Sequence, residues 1–168
     1  NKQKRGAHIE SLIHTPTLKE VKPILDHGKG VLKIITLAPE VCSKEVIDLI
    51  HSYGIKIFAG HSNASYQEAM TCFDNGISGV THLYNAMSPL QHRSPGLVGA
   101  TFDHKGVMAG IIADGYHVDY PAIRIAKKLM QQRLFVITDA VTTTNEGYYR
   151  HQPEEDKYTA EGVLSGSA

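Results

Sequence analysis

IKIFAGHSNASYQEAMTCFDNGISGVTHLY, residues 55–84, reads as strand, turn, helix, turn, strand. The apolar run that opens it closes at His61. Ser65 with Glu68 three residues on is a capping box that starts a helix, and Gly76 can supply the left-handed residue past its end. A second apolar run, GVTHLY, then carries His82. Two strands joined through a helix run parallel, so residues that end them emerge on one rim of the sheet. His61 and His82 are expected to meet there.

The same rhythm extends outward. Upstream, VLKIITLAPE (31–40) is a strand candidate ending at Glu40, followed by a helix with Ser43 as N-cap and Gly54 placed to stop it. Glu40, His61 and His82 are spaced 21 residues apart each time, about the length of one helix, one strand and two short turns. Downstream, the loop NAMSPLQHRSPG (85–96) carries two prolines and a glycine and resists regular structure. GVMAGIIADG (106–115) reads as the next strand, residues 121–132 as a helix with proline in its first turn, and LFVITDA (134–140) as a strand closing at Asp139. From Val141 on the chain turns polar and is read as irregular, with a hairpin at most.

About five parallel strands leave two α/β architectures open: a complete flavodoxin-like sheet, or part of a TIM-type (β/α)8 barrel that typically needs about 250 residues. No glycine-rich dinucleotide fingerprint follows any strand. The chain also lacks an initiating Met and stops at LSGSA. The expectation is therefore an incomplete (β/α)8 barrel: residues 1–168 form part of a single catalytic domain, with strands missing before Asn1 and room for others after Ala168.

Composition narrows the class. With 168 residues, 42% hydrophobic and 20% charged, the chain can bury a sizeable core. Seventeen basic residues balance seventeen acidic ones, so no net field draws nucleic acid or an anionic membrane. Cys42 and Cys72 show neither CxxC spacing nor a disulfide pattern, which fits buried free thiols in a reducing compartment. No apolar run reaches the roughly 18 residues of a membrane span, and no signal-peptide region follows NKQKRG. A cytoplasmic protein is expected.

Neutral imidazole is the commonest biological metal ligand, and a catalytic zinc site usually combines three protein ligands with a water. His61 and His82 supply two ligands. A carboxylate across the site can act on the water, which suits Asp139. Taken singly, each histidine is more often a hydrogen-bonded structural residue, and Asp139 could equally cap the loop after its strand. Equal strand-end placement is what joins them.

The motifs TLAPE, AGHSNA, THLYNAM with RSPG, GIIADGYHVD, VITDA and LSGS, in this order, resemble the N-acetylglucosamine-6-phosphate deacetylases of the amidohydrolase superfamily. The resemblance runs from about Gly6 to the last residue, and THLYNAM with DGYHVD separates it from dihydroorotases and adenosine deaminases. It implies hydrolysis of the acetamide of N-acetylglucosamine 6-phosphate to glucosamine 6-phosphate and acetate. By the same resemblance His61 and His82 would hold a divalent metal, most often zinc, and Asp139 would serve as base and then acid.

The family's remaining protein ligand is a glutamate upstream of the segment matching NKQKRGAHIE, and the family's small β-sandwich domain also lies outside this chain. Glu40 is read as bridging neighbouring strands rather than as a replacement ligand. His8 would donate to the tetrahedral oxyanion, with Ala7 offering main-chain contact to the sugar. Arg93 would pair with the phosphate. Asn85 and Ala86, the run Asp114, Gly115, Tyr116 and His117, and Leu164, Ser165 and Gly166 would line the amino-sugar phosphate. Family members are homodimers, and a phosphate-binding residue can cross from the neighbouring subunit. Without the resemblance, His8, Arg93 and His117 read as ordinary loop residues. A non-catalytic sugar-phosphate binding module on the same scaffold, or another amidohydrolase such as a deaminase, are the alternatives.

Overall fold

The structure is a computed structural model and describes residues 1–140. After two short 3-10 turns, the described residues alternate helix and strand: α1 Leu18–His27, β1 Ile34–Leu37, α2 Lys44–Ser52, β2 Lys56–Ala59, α3 Tyr66–Asp74, β3 Gly79–Val80, α4 Gly96–Asp103, β4 Met108–Ile112, α5 Tyr120–Met130 and β5 Leu134–Ile137. Every strand pairs in parallel with its chain neighbour, in the order β1-β2-β3-β4-β5. That order decides between the two architectures. A flavodoxin-like sheet runs 2-1-3-4-5 and reverses direction at a switch point, whereas strictly sequential order advances one way around a barrel. The chain is part of a (β/α)8 barrel.

A barrel interior is filled in layers contributed by alternate strands. Thr36 of β1 and Thr81, just beyond β3, join hydroxyls at 2.7 Å. Gly60, which follows β2 between them, leaves the space, since a Cβ there would stand 2.5 Å from Thr36 Cγ2 and 3.2 Å from Thr81 Cβ. Ile57, Val80, Leu83, Leu97 and Ile111 are fully buried in the hydrophobic core that also holds helix residues such as Leu25, Val46 and Ala126. Each such side chain contributes about 1.5–3 kcal/mol relative to exposure.

The expected helix signals operate. Ser43 Oγ accepts the Val46 N–H, and Ser65 with Glu68 forms a reciprocal capping box at the start of α3. Gly54 and Gly76 adopt positive φ just beyond α2 and α3. Two helices escape the pattern. α1 opens on a capping box of its own, Thr17 with Glu20, and carries Pro23 inside it. α4 is buried almost throughout, from Gly96 to Thr101, so it has no polar face and no amphipathic period. At its C-terminal end Arg133 Nη1 donates to the helix carbonyl of Thr101 at 3.4 Å and to the following carbonyls of His104 and Val107, each at 2.9 Å.

The strands are shorter than their apolar runs. β1 stops at Leu37, and Glu40 lies in the 3-10 turn Pro39–Val41 rather than at a strand end. β3 keeps only two residues, because the chain turns sharply through positive φ at His82, Tyr84 and Ala86. No helix among the described residues is long and apolar enough to cross a membrane. Cys42 and Cys72 are free and half-buried, and burial pushes the Cys42 thiol up to about 11.

Candidate metal centre

His61 and His82 follow β2 and β3 by two residues, on the same rim. Both have left-handed backbones, with φ of 48° and 39°, as does Asp139 after β5 with φ of 48°. Non-glycine residues rarely take this conformation, and its cost of order 1–3 kcal/mol is concentrated at functional sites in known proteins. All three strand-end candidates share it.

The two imidazoles converge edge to face, their centroids 4.8 Å apart and their Nε2 atoms 3.1 Å apart. His61 Nδ1 lies 2.8 Å from the carbonyl of Lys4, and His82 Nδ1 lies 3.0 Å from the carbonyl of Asn85. A carbonyl can only accept, so both Nδ1 atoms carry the proton and both Nε2 atoms present lone pairs. Burial, and then the neighbouring charge of His82, pushes His61 down to about 4. Burial also lowers His82, against an opposing contribution from the carboxylate of Asp139. Near neutral pH, two lone pairs therefore face each other with no proton between them.

That arrangement lacks an electron-pair acceptor. Two nitrogens held about 2.0–2.1 Å from one tetrahedral ion stand roughly 3.3 Å apart, close to the observed separation. The donor chemistry and spacing of the pair fit a divalent cation. Among the described residues no group of three or more His, Cys, Asp or Glu side chains is placed to hold a metal, so the pair is a partial set.

His8 stacks edge-on to His61 with centroids 4.5 Å apart, and Ala7 adjoins it in the chain. Asn85 is buried, its carbonyl holds His82, and its Nδ2 has no hydrogen-bond partner among the described residues. Ala86 is buried beside it at positive φ. In the turn after β4, Asp114 accepts the N–H groups of Tyr116 and His117 and holds His117 Nδ1 at 2.7 Å, with Gly115 at positive φ between them. Burial raises the Asp114 carboxyl, but the hydrogen bonds from His117 and from these amides together outweigh it and leave it lowered. Arg93 is exposed in the loop before α4 and makes no hydrogen bond or ion pair among the described residues. Leu164, Ser165 and Gly166 lie outside the described residues.

The sequence reading passed over Lys4, Ser62 and Ser88. Lys4 acts through its carbonyl, which no side-chain pattern can reveal. Ser62, fully buried, links Glu40 to the turn after His61, and buried Ser88 accepts the Leu97 N–H at the start of α4 at 2.7 Å. Ser62 directly follows His61 in the chain, and that adjacency is the one signal the sequence offers.

No protein-family model matches the chain. It is 35% identical over 173 residues to N-acetylglucosamine-6-phosphate deacetylase of Mus musculus, covering 98% of this chain and 42% of the mouse protein. It is 32% identical over 174 residues to N-acetylgalactosamine-6-phosphate deacetylase of Escherichia coli O157:H7, covering 98% of this chain and 46% of that protein. The crystal structure of N-acetylglucosamine-6-phosphate deacetylase from Pasteurella multocida superposes with a TM-score of 0.81 at 34% identity, over 99% of this chain and 46% of its own. The Mycobacterium smegmatis deacetylase superposes with a TM-score of 0.85 at 30% identity, over 99% and 47%. The chain thus spans less than half the length of the relatives it matches. Its sequential barrel strands, its paired strand-end histidines and these similarities agree: the chain is homologous to the N-acetylglucosamine-6-phosphate deacetylases of the amidohydrolase superfamily.

Proposed function

We propose that the full protein is a metal-dependent deacetylase that hydrolyses N-acetylglucosamine 6-phosphate to glucosamine 6-phosphate and acetate. The observation that carries this reading is the pair of Nε2 lone pairs 3.1 Å apart, each locked by a carbonyl on the opposite ring nitrogen. In this reading residues 1–168 are part of one catalytic barrel domain, and His61 and His82 hold the ion, zinc, with a glutamate from outside the chain. When bound, such an ion supplies Lewis-acid polarisation of the amide and a more acidic water.

The chain's own residues do the rest. Asp139 takes a proton from the attacking water and returns it to the amide nitrogen as the C–N bond breaks, so one carboxylate serves as base and acid. His8, beside His61, donates to the oxyanion that forms on the former carbonyl. Arg93 pairs with the phosphate through its guanidinium fork, and Asp114 presents His117 toward the same substrate with its Nδ1 proton committed. The unpartnered Asn85 Nδ2 offers a buried donor for a sugar or acetyl oxygen. Ala7, Ala86, Gly115 and Tyr116, with Leu164, Ser165 and Gly166, complete the sugar contacts. The enzyme works in the cytoplasm as a homodimer, and its partner is the small amino-sugar phosphate alone.

The relatives' names divide between the gluco and galacto sugars. The decisive experiment measures acetate release from both 6-phosphates by the full-length protein, with and without chelator, beside His61→Ala. Chelator-sensitive release that His61→Ala abolishes supports the reading, and faster release from one epimer names the substrate. No release from either sugar with any added divalent ion would refute it.

A further inference from the structure

Glu40 makes no hydrogen bond to either histidine ring, yet each of its oxygens accepts a donor from the turn that carries His61. Oε2 accepts the Ser62 hydroxyl at 2.7 Å, and Oε1 accepts the Asn63 backbone N–H at 2.8 Å and Asn1 Nδ2 at 2.9 Å. Ser62 and Asn63 are the two residues that follow His61. The backbone of His61 sits in the left-handed region, so this turn needs outside hydrogen bonds to persist.

The anchor continues past β2. The Ser62 hydroxyl, while donating to Glu40, accepts the Ala64 N–H at 3.2 Å. The Ser62 carbonyl accepts the Ser88 N–H at 3.1 Å, and Ser62 pairs with Met87 in a single parallel bridge. Met87 and Ser88 close the loop whose Asn85 carbonyl orients His82. One carboxylate is therefore the root of a hydrogen-bonded path that runs from the turn after β1, through the His61 turn, to the His82 loop. Its oxygens are committed to three donors, and among the described residues it is not grouped with other side chains placed to hold a metal.

We infer that Glu40 is a positioning residue, whose carboxylate holds the backbone of His61 so that its Nε2 meets that of His82 at ligand-pair separation. The inference rests on the metal reading above and deepens it. A carboxylate accepts at both oxygens, so the Ser62 hydroxyl and the Asn63 N–H are both held as donors; an amide at this position has to reverse the Ser62 bond or lose the Asn63 one. In Glu40→Gln one oxygen becomes an amide donor that faces either the Ser62 hydroxyl or the Asn63 N–H. Loss of a residue that orients a ligand typically costs about 10–100-fold in metal affinity.

The test is zinc affinity of the full-length protein, by competition with a chelating dye, for wild type, Glu40→Gln, Glu40→Ala and Ser62→Ala. It is accompanied by thermal melting of the metal-free proteins and the visible spectrum of the cobalt-substituted ones. Expected are a roughly 10–100-fold loss for both Glu40 variants, altered cobalt bands, and a smaller loss for Ser62→Ala. A role through His61 further requires that Glu40→Gln add little to the loss already caused by His61→Ala. An equal and independent loss in the His61→Ala background would mark general destabilisation and overturn the inference. Wild-type zinc binding matched within twofold by Glu40→Gln would overturn this role and leave the metal reading intact. A wild type that binds no zinc would overturn both.

Discussion

Replacing Gly60 with alanine places a methyl group where the barrel layer has no room. Its Cβ would lie 2.5 Å from Thr36 Cγ2 and 3.2 Å from Thr81 Cβ. Ordinary carbon contacts are about 3.5–4.0 Å, so β1 and β2 must separate by roughly 1 Å or a threonine must leave its rotamer. Overpacking of this kind costs about 1–3 kcal/mol. The 2.7 Å hydrogen bond between the Thr36 and Thr81 hydroxyls spans the same gap. Its loss adds about 0.5–1.5 kcal/mol. Reduced freedom of the unfolded chain returns about 0.4–1 kcal/mol, which is too little to reverse the sign. The net expectation is a loss of about 0.5–4 kcal/mol, seen as a fall in melting temperature of roughly 1–5 °C in the full-length protein. Because Gly60 precedes His61, zinc affinity should fall as well. Thr36→Ser removes Cγ2 but keeps the hydroxyl, so the double variant Thr36→Ser with Gly60→Ala should recover most of both losses. An alanine variant that melts with wild type, or a double variant no better than the single, would refute the layer as described.

Other outcomes follow from the site. Asp139→Asn should keep zinc bound through His61 and His82 while lowering deacetylation by about 10²–10⁴-fold, measured as initial rates at saturating metal. Near-normal turnover would remove Asp139 from the proton transfer. With the Cys42 thiol pushed up to about 11, its thiolate at neutral pH is roughly two orders of magnitude scarcer than that of a free cysteine. Alkylation of the native protein at Cys42 should be slower by about that factor and should accelerate on unfolding in denaturant, read by mass spectrometry of the labelled peptide. The factor should shrink as the pH is raised toward 11, where the protected thiol ionises.

Much of this architecture is legible in residues close together in the chain. Ser43, Ser65 with Glu68, Gly54 and Gly76 mark helix ends by hydrogen bonds and backbone conformations that span only a few positions. The 21-residue interval from Glu40 to His61 to His82 follows from one helix, one strand and their turns, and it places both histidines on one rim. The motifs around them, from AGHSNA to VITDA, were sufficient to indicate the family. Where local pattern failed, the physical cause is visible. α4 lacks a polar face because the protein surrounds it, and β3 shortens because His82 and Tyr84 turn the chain early.

What the amino-acid sequence determined by itself is the alternation of strand and helix, the residue types at strand ends and the family they resemble. Each of these depends on neighbours within a turn or two. Only the tertiary structure decided the sequential order of the strands, the left-handed backbones of His61, His82 and Asp139, and the ring nitrogen that carries each proton. The carbonyl that orients His61 comes from Lys4, 57 positions away, and the carboxylate that anchors its turn comes from Glu40, 22 positions from Ser62. Such contacts are set by how β1, β2 and the N-terminal turns are brought side by side, and a linear pattern has no means of encoding that proximity.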